Sequence, residues 1–340
     1  MAPLPYSQSN RIISEPEEFS DVATGISLNV DFRRRQEDAS RVEQYQSPQW
    51  ALDWGVANVQ THVSGVLAAG WGSLCLNMGA PEARWNGLNH GPGAITLVQP
   101  GQELDGHTAP GFSWVTMAIP PGAWANCLRL AGCEEAGFAP LITCQPSPAH
   151  HEEIVRRLGQ AQALFRGAAQ TPALGKVAAT EAAEVSMHCF LTACELASRV
   201  AVPRDSLRNR VRLVKRAEAW MRERLEETFQ VEDVCLALHV SRRELEYAFR
   251  AVLDESPRDH LQTLRLNAIR RVLVRVKEAD TSVIEIAQAH GMTHLGRFAG
   301  SYRKLFGEAP SATLRRKTKG RHSRIGGDSF VAATLGMSRS

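Results

Sequence analysis

One helical pattern occurs twice in the last third of this chain, and this repeat limits the possible fold more than any other feature. Residues 228–257 and 280–310 carry apolar positions, a helix start and a closing proline in the same order. With an offset of 53, four positions match in type: Leu245 with Phe298, Phe249 with Tyr302, Arg250 with Arg303, and Pro257 with Pro310. Before the turn the offset is 52, so the extra residue lies in the turn, where insertions are tolerated best.

The first copy predicts two short helices joined by a tight turn. VEDVCLAL forms the supporting helix, and Ser241 begins the second helix with Glu244 three residues later, which is the pattern of a capping box. Leu245, Phe249 and Val252 recur at helical spacing and are predicted to be buried. The opposite face then points outward and carries Arg242, Arg243, Glu246, Tyr247 and Arg250.

The second copy has the same plan with a less polar outer face. SVIEIAQAH is the supporting helix, Gly291 permits the turn, and GRFAGSYRKLF is the second helix with Phe298, Tyr302 and Leu305 inside. His294 stands at the cap position, where it replaces the usual short polar cap. The outward positions are Leu295, Gly296, Ala299 and Gly300, with polar groups only on Arg297, Arg303 and Lys304.

Charge is divided unevenly along the chain, although the net charge is only +3. Residues 204–324 carry 26 Lys and Arg against 16 Asp and Glu, whereas the remainder carries 13 against 20. Lysine and arginine release the counterions condensed on nucleic-acid phosphates. Affinity for a polyanion is therefore expected in the C-terminal part, although a solvated basic face has the same composition.

Residues from about 215 to 316 resemble the DNA-binding domain of the AraC family of bacterial transcription regulators. The resemblance is carried by Ser241-Arg-Arg-Glu-Leu245, Phe249-Arg250, Ser256-Pro257, Arg265-Leu266, Ala268, Leu273, Ile286-Ala287, Gly291-Met292, Phe298, Tyr302-Arg303, Phe306-Gly307, Pro310-Ser311 and Arg315. It implies a domain over 211–318 with two helix-turn-helix units, 217–256 and 277–316, joined by a helix from Pro257 to Val276. Asp254 stands where the family often has glycine, and aspartate tolerates the left-handed conformation.

The resemblance implies that both second helices enter successive major grooves of double-stranded DNA. Arg243, Glu246 and Tyr247 are expected to read bases, whereas Arg242 and Arg250 are better placed for phosphates. In the second unit Arg297 is the main candidate reader. The full predicted DNA-binding set is Ser241, Arg242, Arg243, Glu246, Tyr247, Arg250, His294, Leu295, Gly296, Arg297, Gly300, Arg303 and Lys304.

The rest of the chain predicts an α+β protein with a β-rich N-terminal domain. A loose leader (1–24) precedes short apolar runs between Gly, Pro and Asn breaks (25–145), which indicate an antiparallel barrel or sandwich of cupin-like type. Helical pattern covers 148–200, beginning at a Ser147 cap. A linker (201–210) and a disordered tail (319–340) complete the expected organisation.

Three roles remain for the N-terminal domain, and a small-molecule sensor is the one we favour. Trp71, Trp85 and Trp114, with Asn77, Asn86 or Asn89 beside them, are candidates for a ligand pocket. A metal-dependent cupin enzyme would need clustered ligands, but His62, His90 and His107 are isolated in sequence. A reactive-cysteine methyl acceptor would need basic neighbours, which Cys127, Cys133 and Cys144 lack. No catalytic residue, metal or cofactor is therefore expected.

The expected protein is a cytoplasmic regulator. Its partners would be double-stranded promoter DNA, a small-molecule effector, RNA polymerase and a second copy of the chain. Seven cysteines without a C-x-x-C pair favour a reducing compartment, and the N-terminus has no signal-peptide pattern. The apolar face of helix 177–198 (Val177, Ala182, Val185, His188, Cys189, Thr192, Leu196) is a candidate dimer surface, or it packs on its own barrel. The alternative is an effector-independent architectural or constitutive DNA binder.

Overall fold

The computed structural model describes residues 6–34, 38–79, 83–130, 141–170, 172–197, 205–276 and 282–316. The strands within these ranges are β1 (Ser7–Ile13), β2 (Ile26–Phe32), β3 (Ser40–Ser47), β4 (Trp50–Ala57), β5 (Thr61–Leu67), β6 (Gly72–Asn77), β7 (Ala83–Trp85), β8 (Leu88–His90), β9 (Ile95–Val98), β10 (Glu103–Thr108), β11 (Phe112–Ile119) and β12 (Leu141–Cys144). The helices are α1 (Pro16–Ser20), α2 (Pro121–Leu130), α3 (Pro148–Gln170), α4 (Pro172–Ala197), α5 (Asp205–Glu223), α6 (Val231–Leu238), α7 (Arg242–Leu253), α8 (Pro257–Arg275), α9 (Val283–Ala289), α10 (Leu295–Phe306) and α11 (Pro310–Arg316).

The N-terminal part is built from two antiparallel sheets, as the spacing of apolar runs predicted. One sheet has the order β1-β3-β4-β11-β6-β9-β12 and the other the order β2-β5-β10-β7-β8, so each keeps open edges and the barrel is not closed. Side chains alternate between the faces of a strand. Every second residue therefore points between the sheets, as Ile26, Leu28 and Val30 do on β2.

The described part of the predicted leader is ordered by the sheet. Ser7–Ile13 pairs in register with β3, from Ser7 opposite Gln46 to Ile13 opposite Ser40. Ile13 is fully buried, and Phe19 of α1 is buried with it in one apolar cluster. The loose leader that the sequence suggested for 1–24 thus differs from the structure over residues 6–24. Its polar composition reflects an edge strand, whose outer residues face solvent.

Helices α3 and α4 pack together on the larger sheet, and α4 contacts β9 and β12. Ala182 and Cys189 are buried in the same apolar core as Leu52 and Met117 of the sheet. Most of the proposed dimer face of α4 is therefore covered by its own domain. Val177 and His188 are the exceptions within that set, because both side chains are exposed.

The C-terminal part contains two small helical cores joined by one long helix, which confirms the predicted pair of units. Leu245 and Phe249 belong to the first core, and Phe298 and Tyr302 belong to the second. The joining helix α8 ends at Arg275, with Val276 as its C-cap. Helix α5 begins at Asp205, so the second half of the predicted linker is helical. The tail predicted over 319–340 lies outside the described residues.

Four described residues of the helical region have left-handed backbone, and Asp254 and Gly291 are the two that the sequence singled out. Asp254 follows α7 at φ +56°, which agrees with the expectation that aspartate accepts this conformation in place of glycine. Gly291 follows α9 at φ +71°, as the tight turn requires. In both units, therefore, a residue that the sequence singled out for its backbone conformation ends a helix or forms the turn after it.

Candidate nucleic-acid interface and ligand cavity

Helix α7 presents a polar face to solvent and an apolar face to its core. The Ser241 hydroxyl caps it by accepting a hydrogen bond from the Glu244 N–H at 3.1 Å. The predicted reciprocal bond, from the Ser241 N–H to the Glu244 carboxylate, does not form among the described residues, so the capping box is only half present. Arg242, Arg243, Tyr247 and Arg250 are exposed and Glu246 is half-buried, whereas Leu245, Phe249 and Val252 are buried.

The exposed side chains of α7 differ in the contacts that they make with neighbouring residues. Arg242 forms an ion pair with Glu232 of α6. The Arg210 guanidinium lies over the Tyr247 ring, 4.5 Å from its centroid. Arg243 has no hydrogen bond or ion pair to any residue that the structure describes, and its side chain is exposed. Its guanidinium is therefore available to a ligand in the groove-facing position that the sequence predicted.

The outer surface of helix α10 carries two glycines and three cationic side chains. His294 occupies its N-cap without a side-chain cap hydrogen bond. Gly296 and Gly300 are exposed, and a Cβ atom at either position would meet no atom within 4 Å. Leu295 and Ala299 are half-buried rather than fully outward. The exposed cations of the helix are Arg297, Arg303 and Lys304.

A cavity of about 150 Å³ lies between the two sheets of the N-terminal domain. Its walls come from both sheets, from α1 and from the residues after α1. They are almost entirely apolar, with aromatic rings from Phe19, Phe112, Trp85 and Trp114. The Phe112 and Trp114 rings are stacked, with centroids 5.8 Å apart. The polar groups at the wall include Asp53 and several threonines.

Two of the six ligand candidates chosen from the sequence line this cavity, and Asn86 and Asn89 are among those that do not. Trp85 and Trp114 are in the wall. Trp71 instead packs in a separate cluster with Leu67 and Val98. The Asn77 amide is fully buried and donates to the backbone oxygens of His90 and Gly91, so it holds a turn. Sequence reasoning had no means to separate these cases, because each residue was chosen only as an aromatic or amide side chain in the β-rich region.

Asp53 is the cavity residue whose chemistry the sequence did not reveal. Its carboxyl lies on β4 and accepts a hydrogen bond from Gln44 Nε2 at 2.7 Å. Burial raises the pKa of Asp53 to about 7, and the Gln44 hydrogen bond only partly offsets this effect. Near neutral pH the group therefore exists in both protonation states, as a donor or as an acceptor.

Buried polar contacts join the β domain to the helical region. Asp31 on β2 accepts bonds from Arg222 at 2.5 Å and from Arg271 at 2.7 Å. Burial alone would raise the pKa of Asp31, but these two positive charges lower it to about 2. The Asn267 side chain pairs with both the N–H and the C=O of Phe32, each at 3.0 Å. Helix α8 is therefore docked on strand β2 by polar groups, a contact that no local pattern indicates.

His62, which the sequence presents as isolated, lies in a buried cluster at this junction. The cluster consists of His62 on β5, Glu218 on α5 and His260 on α8, whose nearest ligand atoms all lie within 4.8 Å of one another. His90 and His107 do not belong to it. His62 is isolated in the sequence but has two partners with metal-ligating side chains in the fold. Its partners come from helices about 150 and 200 residues further along the chain, beyond any spacing motif.

The described cysteines do not have the surroundings of a reactive thiolate. Cys127 and Cys144 are buried, and burial raises the pKa of each thiol. Cys133 lies outside the described residues. A raised pKa keeps a thiol protonated and unreactive. No helix in the described ranges has the length and apolar character to cross a membrane.

Comparison with known proteins gives one family match and several partial relatives. Residues 234–316 match the family model described as a helix-turn-helix domain. The "Probable thc operon regulatory protein" of Rhodococcus erythropolis is 34% identical over 145 residues, which are 42% of this chain and 43% of that protein. The "XylDLEGF operon transcriptional activator" of Pseudomonas putida is 33% identical over 105 residues, which are 31% of this chain and 33% of that protein.

A solved structure from Chromobacterium violaceum, a transcriptional regulator described as having an AraC-type DNA-binding domain, is 27% identical. The match covers 32% of this chain and 95% of that one, with a TM-score of 0.30. The chain spans less than half the length of the two curated relatives named above.

Proposed function

We propose that this chain, in which residues 234–316 match a helix-turn-helix domain, is a sequence-specific DNA-binding transcription regulator of the AraC type. The observation that carries the proposal is the pair of helix-turn-helix units. Each has an apolar core of its own and a second helix whose outer face is exposed. The excess of Lys and Arg over residues 204–324 supports a polyanionic partner. Double-stranded DNA, RNA polymerase and a second copy of the chain are its proposed partners, and the cytoplasm is its proposed location.

The second helices of the two units, α7 and α10, have different tasks in this proposal. Arg243 forms bidentate hydrogen bonds to guanine, and Glu246 and Tyr247 reach neighbouring base edges. Arg242 and Arg250 bind phosphates and set the register, as do Arg303 and Lys304 in the second unit. Arg297 is the one polar reader of α10, and Leu295 contacts a thymine methyl group. Ser241 and His294, at the N-termini of α7 and α10, hold these helix starts against the phosphate backbone of the DNA.

The cavity supports a sensing role for the β domain. A volume of about 150 Å³ with apolar walls suits a molecule about the size of a substituted benzene ring. Asp53 and the threonine hydroxyls would bind a single polar substituent on that ring. We therefore favour an effector-responsive regulator over the effector-independent architectural binder, for which the cavity would have no use.

Binding of DNA is tested with the full chain and labelled promoter fragments at several salt concentrations. We expect site-selective binding whose affinity falls steeply with salt, since each neutralised phosphate releases counterions. Genome-wide footprinting then identifies the preferred sites. If the folded chain shows neither selectivity nor salt dependence, the proposal of a DNA-binding regulator is wrong.

Effector binding is tested separately by thermal shift with a panel of small monocyclic aromatic compounds. A ligand that binds only the folded state raises the melting temperature by mass action. Val63→Phe adds a ring at the cavity wall and should abolish the shift. Val56→Phe on β4 is the matched control, since Val56 is 36% exposed and lies outside the cavity wall. A shift that persists in Val63→Phe would remove the cavity from the proposal.

A further inference from the structure

We propose that His62, Glu218 and His260 bind one divalent transition-metal ion, Zn²⁺ in the first instance, at the junction of the β domain and the DNA-binding region. His62 belongs to strand β5, whereas Glu218 and His260 belong to helices α5 and α8. Imidazole nitrogen and carboxylate oxygen are ligands that suit zinc. This metal site is separate from the cavity between the sheets, so the proposal does not depend on whether that cavity binds an effector.

The distances between the ligand atoms are close to those of a zinc site. His62 Nε2 lies 3.5 Å from Glu218 Oε2, and His260 Nε2 lies 3.6 Å from the same oxygen. Zinc–ligand bonds of about 2.0–2.1 Å place the ligands of a tetrahedral site roughly 3.3 Å apart. Both separations exceed this value by only about two to three tenths of an ångström. The two imidazole nitrogens lie within 4.8 Å of each other, so binding would also draw the histidines together.

The atoms that face one another lack other partners. Glu218 Oε2 and His260 Nε2 are buried without a hydrogen bond to any residue in the described part of the chain. A buried polar atom without a partner costs free energy, and the cost is larger for a charged group. A cation between these two atoms would satisfy both at once.

The opposite ends of two ligands are already held in the orientation that a metal requires. His260 Nδ1 lies 2.6 Å from Glu255 Oε1, which fixes the ring and leaves Nε2 toward the cluster. Arg222 Nε donates to Glu218 Oε1 at 2.7 Å and leaves Oε2 free to face the histidines. Such carboxylate–histidine contacts are the usual outer support of a metal ligand.

Asp105 supplies a further carboxylate at the edge of the cluster. Its Oδ2 atom lies 3.2 Å from His62 Nε2, and its Oδ1 atom has no hydrogen-bond partner among the described residues. Asp105 is thus the candidate for the fourth ligand. The carboxylates of Asp105 and Glu218 would supply negative charge to the ion, and Glu218 shares its charge with Arg222.

The position of the site gives it a structural consequence. A metal held by His62 on one side and by Glu218 and His260 on the other would tie the β domain to the DNA-binding region. Metal binding and domain docking would then stabilise one another, because the complete ligand set exists only in the docked arrangement.

The test uses the full chain without an affinity tag, stripped with a chelator and titrated calorimetrically with ZnCl₂, with metal content measured by mass spectrometry. We expect one Zn²⁺ per chain. Glu218→Gln and His260→Gln should weaken binding by more than the ~10–100-fold that is typical of outer-shell changes. His90→Gln is the matched control, since His90 is equally buried but outside the cluster, and it should leave binding unchanged.

Co²⁺ provides a readout that does not need a variant. In the parent chain it should give the visible absorption of a tetrahedral nitrogen and oxygen site. Strong near-ultraviolet thiolate absorption would place the metal on cysteines and overturn the proposal. The proposal also fails if Zn²⁺ does not bind stoichiometrically, or if folded Glu218→Gln binds it like the parent. In either case a proton, and not a metal, occupies the space between Glu218 and His260.

Discussion

Arg243 and Gly296 occupy equivalent positions in the two units, 53 residues apart. The same offset relates Glu246 to Ala299 and Tyr247 to Gly300. Three polar side chains on the outer face of α7 thus correspond to a glycine or alanine on α10, whereas Arg250 corresponds to Arg303. If this face lies in the major groove, the first unit has the hydrogen-bonding groups to read bases and the second has almost none.

Replacement of Arg243 by alanine should therefore relax sequence selectivity at one or two base pairs. The expected loss on the preferred site is about 1–3 kcal/mol, because a bidentate contact to guanine disappears. Affinities for an operator library with every position varied provide the measurement. Arg303→Ala is the comparison, and it should weaken all sites about equally and reduce the salt slope. Equal base preference over both halves of the site would contradict this assignment.

Asp53 should make the stability of the β domain depend on pH. Its pKa is raised from 3.8 to about 7 in the fold, so the folded chain binds more protons than the unfolded chain between those values. Stability therefore falls as the pH rises through this window. At about 1.4 kcal/mol per pKa unit, the loss above pH 7 has an upper limit of about 4 kcal/mol.

The variant Asp53→Asn keeps the shape of the side chain without its charge. Its melting temperature should exceed that of the parent chain at pH 8, and the difference should shrink toward pH 5. Asp21→Asn, at an exposed position, is the control and should give no such trend. A difference that is constant between pH 5 and pH 8 would show that Asp53 does not titrate in this range.

Helices α7 and α10 have the same length of twelve residues but different intrinsic stability. Helix α7 has the Ser241 cap, whereas α10 begins at His294 without a side-chain cap and contains Gly296 and Gly300. A good cap contributes about 1 kcal/mol, and a glycine in a helix interior, such as Gly300, costs about that much relative to alanine. Helix α10 is therefore the less stable of the two, and contact with DNA would help to order it.

Gly296→Ala and Gly300→Ala should each stabilise α10 by up to about 1 kcal/mol, since the added methyl group meets no neighbouring atom. Hydrogen exchange of the α10 amides is the measurement. If the glycines allow a close approach to the groove, the same variants should bind DNA more weakly. Gly159→Ala in α3 also adds a methyl group in open space, and it should leave DNA affinity unchanged. Unaltered DNA affinity in the α10 variants would argue against a close approach.

At the scale of the whole molecule, the helical region has cores of its own while its surface is docked on the β domain. The two apolar clusters around Phe249 and Phe298 lie almost wholly within residues 211–314. The docking contacts, in contrast, are mainly polar and centre on Asp31 and Asn267, with Phe306 as an apolar contact to the cluster around Phe19. The region should therefore fold without the β domain, and docking should control how it is presented.

A fragment of residues 204–321 is accordingly expected to bind promoter DNA by itself, with an affinity that falls steeply as salt is added. Circular dichroism checks that it is helical, and fluorescence anisotropy measures binding. A fragment of residues 1–200 is the control and should not bind. A folded 204–321 fragment with no salt-dependent binding would show that the β domain is needed for the interaction.

The helix-turn-helix units were predictable from sequence because their contacts are local. Leu245, Phe249 and Val252 lie within eight positions of one another, and a cap or a left-handed residue needs only its immediate neighbours. Such short-range requirements leave periodic and positional patterns. The leader was misjudged for a related reason, because strand β1 is defined by its pairing with β3 and shows little pattern of its own.

The sequence by itself determined the two helical units, their buried and exposed faces and the β-rich character of the N-terminal part. Only the tertiary structure decided which tryptophans line the cavity, how Asp31 and Asn267 dock α8, and that His62 meets Glu218 and His260. Phe32 and Asn267 are 235 residues apart, and single polar residues at such separations carry no period. Helical and strand periodicity reports which face of an element is buried. The neighbour that covers this face depends on the packing of the whole chain.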